Sequence, residues 1–94
     1  ATPDGVPSEF LRKFHQQILD KASSSIHAQS VERRNLSASI MAIREDKLPE
    51  ANAAIREFRR KFVREMTQGE AGQRNRVYCL AFQFFDLTER KSAL

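Results

Sequence analysis

Residues 46–66 read Asp-Lys-Leu-Pro-Glu-Ala-Asn-Ala-Ala-Ile-Arg-Glu-Phe-Arg-Arg-Lys-Phe-Val-Arg-Glu-Met, and this stretch decides the architecture. Leu48, Ala51, Ile55, Phe58, Phe62 and Met66 recur at steps of three and four, which places them on one face of a helix. Arg56, Arg59, Arg60 and Arg64 fall on a different face, away from that stripe. Asp46 is suited to cap the N-terminus, and Pro49 fits a first turn whose amides lack intrahelical partners. Glu57 and Lys61 are spaced to form an i,i+4 pair, and Gly69 is placed to close the helix in a left-handed conformation. A helix with such a stripe must pack on something, and the flanking segments are the local candidates.

Working outward, residues 1–7 (Ala-Thr-Pro-Asp-Gly-Val-Pro) read as a linker from an N-terminal part that is absent here. Ser8 is a natural cap, and Leu11, Phe14, Ile18, Ala22 and Ile26 mark one face of a first helix, widened by Phe10 and Leu19. Ser23, Ser24 and Ser25 weaken its end, and residues 27–34 read as a polar connection. Residues 35–43 have no helical period; as a strand they put Leu36, Ala38, Ile40 and Ala42 on one face and Ser37, Ser39, Met41 and Ile43 on the other. The two faces are nearly equal in apolar content, so neither stands out as the buried one.

Residues 69–75 form a polar loop with two glycines, and residues 76–87 carry the clearest strand pattern. Tyr78, Leu80, Phe82 and Phe84 alternate on one side, with Cys79, Ala81 and Gln83 on the other. Phe85 and Leu87 make the far end apolar on both sides, and residues 89–94 read as a frayed tail. The expected fold over residues 8–88 is therefore a single α+β domain of order helix-strand-helix-strand. It has two layers, with the helices on one face of a small antiparallel sheet. Two strands fall below the number needed for independent stability and leave an open edge, so the sheet is expected to be completed in a homodimer. The candidate interface is Tyr78, Leu80, Phe82 and Phe84. Either a strand or the first helix can sit at the two-fold axis.

Composition narrows the function classes. Ninety-four residues, 40% hydrophobic and 30% charged, describe one globular domain rather than a disordered chain. A formal charge of +4 permits nucleic-acid contact without specifying it. The single cysteine excludes an internal disulfide and fits a reducing, cytoplasmic setting. No apolar run approaches the ~20 residues of a membrane span.

Catalytic chemistry is not apparent. His15 and His27 stand apart from any Cys or carboxylate at metal-ligand spacing, so neither metal nor other cofactor is implied. Cys79, mid-strand and without a local base, reads as a small buried hydrophobe. Gly69-Glu-Ala-Gly72 follows a helix and leads into a strand, the reverse of a phosphate loop. No acidic pair is spaced for acid-base work, and an enzyme is not expected. Arg56, Arg59, Arg60 and Arg64 are the candidate nucleic-acid contacts, set against the reading of a merely solvated helix face. An aromatic strand without the glycine-aromatic signature does not make an RNA-recognition sheet.

Several motifs together resemble a known family. Phe14-His15, Ile18-Leu19 and Ala22 are similar to the opening helix of the C-terminal domain, of unknown function, in a family of candidate bacterial transcriptional regulators. That family is abundant in predatory and fibre-degrading bacteria. Glu32-Arg33-Arg34-Asn35-Leu36-Ser37 resembles its approach to a first strand. Ile55-Arg56-Glu57-Phe58-Arg59 and the run from Arg76-Val77-Tyr78 to Phe85-Asp86-Leu87-Thr88 look like its helix core and closing strand. Asp86 stands where the family has Pro, and Ser39-Ile40 reverses its Leu-Thr order. The resemblance implies a cytoplasmic regulator that meets DNA through an upstream helix-turn-helix region. This module would then supply dimerisation, sensing of a small-molecule effector, or both.

Overall fold

The structure, a computed structural model, describes residues 8–88. The linker assigned to residues 1–7 and the tail assigned to 89–94 lie outside the described residues. Two α-helices, α1 (Ser8–Ala28) and α2 (Leu48–Met66), alternate with three short 3-10 turns at Val31–Arg33, Glu45–Lys47 and Ala71–Gln73. The chain divides into two units, residues 1–41 and 42–94.

The expected sheet is not there. Among the described residues no strand forms, and residues 35–43 and 76–87 run without regular secondary structure. The α+β expectation is overturned, and the physical reason is partnership. Alternating side chains favour an extended backbone, but a ladder needs a neighbouring strand to complete its hydrogen bonds. Among the described residues neither segment has a strand to pair with.

In the first unit α1 runs through the serines expected to weaken its end and on to Ala28, two residues into the expected connection. The competing hydroxyls bond back into the helix instead: Ser24 Oγ donates to the Asp20 carbonyl at 3.1 Å and Ser25 Oγ to that of Ala22 at 2.6 Å. Leu11 and Ile18, both from the predicted stripe, are half-buried, whereas Phe14 and Ile26 are exposed. The Phe14 and His15 rings meet edge-on, their centroids 5.5 Å apart. Beyond the helix, Arg34 folds back on its C-terminus. Its Nε donates to the Gln29 carbonyl and its Nη2 to that of Ile26, each at 3.1 Å. A guanidinium there meets carbonyls left without helical partners and the negative end of the helix dipole. Among the described residues Arg34 is the one charged residue that is half-buried.

The second unit opens differently from expectation. Asp46 does not cap α2; it lies within a 3-10 turn, and its carboxylate accepts a hydrogen bond from Arg44 at 2.6 Å. That charge-assisted contact outcompetes a neutral amide, and Lys47 at the N-cap makes no side-chain cap bond. Pro49 does sit in the first turn. Ala51, Ile55 and Phe62 of the stripe are half-buried, while Phe58 and Met66 stay exposed. At the far end Thr67 Oγ1 bonds the Val63 carbonyl at 2.7 Å, and Arg74 Nη1 reaches the Thr67 carbonyl at 2.8 Å. Gly69 has φ +104°, the left-handed conformation its position predicted, and a Cβ there would meet Gln73 Oε1 at 3.1 Å. Residues 70–73 then form a reciprocal capping box between Glu70 and Gln73.

Removing the Arg34 clasp should loosen the end of α1. Arg34→Ala is expected to speed amide exchange at Gln29, whose N–H bonds the Ser25 carbonyl at 3.2 Å, by about fivefold, the equivalent of one lost bond of ~1 kcal/mol. Exchange in the middle of the helix should not change. Hydrogen-exchange NMR reads both.

Candidate functional site

Two surfaces stand out among the described residues, and both lie in the second unit. The first is the aromatic segment. Along it exposure alternates: Leu80, Phe82 and Phe84 are about two-fifths exposed, whereas Val77, Phe85 and Leu87 are 102%, 69% and 64% exposed. Leu80, Phe82 and Phe84 are thus less exposed than Val77, Phe85 and Leu87, although no sheet forms. The even-numbered set is the shielded one because Phe82 packs on α2, its ring centroid 5.8 Å from that of Phe58. Phe58 in turn lies 5.8 Å from Phe62. Tyr78, placed in the same set by sequence, is 65% exposed. Of the predicted interface residues, Phe82 therefore packs on its own helix. Val77, Phe85 and Leu87 form an outward apolar set that the strand reading passed over, though the two-sided apolar end of the segment was its signal.

The second surface is the arginine face of α2. Arg56, Arg59, Arg60 and Arg64 are all exposed, and none makes an ion pair or side-chain hydrogen bond with a described residue. Glu57 and Lys61 do not pair either; the ion pairs among described residues are Glu9–Lys13, Arg44–Asp46 and Lys47–Glu50. By ideal helical geometry of about 100° per residue, Arg59 borders the apolar stripe beside Met66, while Arg56, Arg60 and Arg64 lie further round.

The other singled-out residues fall outside both surfaces or change character. No group of three or more His, Cys, Asp or Glu side chains among the described residues could hold a metal ion. No helix among them is long and apolar enough to cross a membrane. Cys79 is exposed, not buried as expected. Without a sheet there is no second layer to cover it.

With this geometry in view, comparison with known proteins is informative at one point. A family model described as a domain of unknown function (DUF4423) matches residues 1–87. The chain belongs to this family. The match takes in both helices, both arginine clasps and the aromatic segment, so the two units recur together as one family domain. It bears out the part of the resemblance that pointed to a domain of unknown function. No curated protein and no solved structure matches the chain.

An exposed Cys79 should be energetically silent. Cys79→Ala is expected to change stability by less than about 0.5 kcal/mol, as surface substitutions do. An unshifted urea midpoint for loss of helical circular dichroism checks this.

Proposed function

We propose that this chain is a non-catalytic interaction module of a cytoplasmic transcriptional regulator and that it acts by forming a homodimer. One observation carries the dimer. None of the described residues is buried, and large apolar side chains along residues 77–87 and α2 are open to solvent. Exposed apolar surface on this scale marks a contact site. At roughly 150–250 Å² per aromatic side chain, the exposed fractions of Phe58, Tyr78, Phe82, Phe84 and Phe85 leave on the order of 400–650 Å² uncovered. That is most of the ~800 Å² each partner contributes to a standard interface. Val77 and Leu87 add to it.

The regulator reading is supported by the resemblance over Phe14-His15, Glu32 to Ser37 and Arg76 to Thr88. Paired half-sites on DNA call for a two-fold symmetric protein, so a dimerising module suits a regulator whose DNA-binding region lies upstream. A small-molecule effector would act here by favouring one association state over the other.

Sedimentation equilibrium between about 1 and 100 µM tests the dimer. The expected result is a monomer–dimer equilibrium that Val77→Glu/Phe85→Glu weakens by about 100-fold or more, the size of two lost interface anchors. Both positions are well exposed in the protomer, so helical circular dichroism should be retained. A parent chain that stays monomeric at the highest concentration would refute the reading.

A further inference from the structure

Arg56, Arg60 and Arg64 follow one another at four-residue steps on α2, and Arg59 joins them. At about 100° per residue the four share an arc of roughly 140°, and the row runs for about 12 Å along the axis. Like charges at this spacing destabilise a helix. The acids that could relieve them do not. Glu57, one turn from Arg60 and two from Arg64, makes no ion pair among the described residues. By the same geometry Glu50 and Glu57 border the arc only beside Arg64, and Glu65 lies beyond them. The helix therefore holds four exposed, unneutralised guanidinium groups in one band. Its apolar stripe faces elsewhere and is partly occupied by Phe82.

We propose that this band binds the sugar-phosphate backbone of duplex DNA without reading its sequence. The chemistry favours phosphate because a guanidinium forks two N–H donors onto one phosphate, where an ammonium offers a point charge. A linear row of about two turns suits the regular line of charge along a duplex. A membrane surface fits less well. An interfacial helix lowers its apolar face into the lipid, and here that face is already partly covered, with Ala51, Ile55 and Phe62 half-buried and Phe82 packed on Phe58. The proposal adds a contact within this module to any made by an upstream region.

Fluorescence anisotropy of the full chain with a mixed-sequence duplex of about 20 base pairs tests it. With four phosphate contacts, affinity is expected to fall by about 150-fold between about 50 and 200 mM salt, and in Arg56→Gln/Arg60→Gln by only about 12-fold, from a slope of about 0.9 per contact. Glutamine keeps the helix propensity of arginine, and circular dichroism verifies the helix. If that variant loses helix, Arg59→Gln/Arg64→Gln replaces it with the same expected slope. Three outcomes overturn the proposal: no salt-dependent binding by the parent, an unchanged slope in the double variant, or tighter binding to phosphatidylglycerol vesicles at equal phosphate. The association state is read separately by sedimentation, so a missing dimer and a missing DNA contact are distinguishable.

Discussion

A lone helix cannot bury its own apolar stripe, and that constraint governs both halves of this molecule. Stable domains close such a stripe with a second packed layer. Here each unit holds a single α-helix. In the second unit the cover is thin: Phe82 reaches Phe58, while the neighbouring side chains remain two-fifths exposed or more. The half-buried positions Ala51, Ile55 and Phe62 show the stripe beginning to act as a core without becoming one.

The two units answer the constraint with the same local plan. Each helix is followed by a 3-10 turn, then by an arginine that folds back on the carbonyls at the helix end, then by an irregular segment. Arg34-Asn35 and Arg74-Asn75 stand forty positions apart, the offset that also separates Ser8 from Leu48 at the helix starts. Little else is shared between the two stretches, so no sequence repeat is visible. What recurs is a solution to one chemical problem, the unpaired carbonyls at a helix C-terminus. The arginine is a good solution because it reaches over an intervening turn.

The helices, the half-buried stripe positions and the left-handed Gly69 were legible because each follows from local rules of spacing and backbone sterics. The sheet was not. Alternation along residues 76–87 encodes which side each residue faces, and exposure follows that pattern, but alternation carries no information about a pairing partner. Cys79 was misplaced for the same reason, since its burial was inferred from the sheet. Asp46 illustrates a competition that sequence leaves open: the same carboxylate could cap a helix or meet Arg44, and the charged partner won. The arginine clasps were missed because their signal, an arginine six or eight residues beyond the helix, has no period. The arginine face of α2 was legible as charge; that it stays unneutralised was visible only in the structure.

The short reach of these ties has a kinetic corollary. The hydrogen bonds from Arg34 and Arg74 to the helix ends join residues no more than eight apart. The Phe58–Phe82 ring contact closes a loop of a modest two dozen residues. Loop closure therefore takes little from the search for the folded state, and chains built from such local contacts fold in microseconds to milliseconds. A chain of this kind is ready almost as soon as its second helix and the segment after it are synthesised. In the proposed homodimer the pace of assembly would then be set by encounter between two such chains, and so by their concentration.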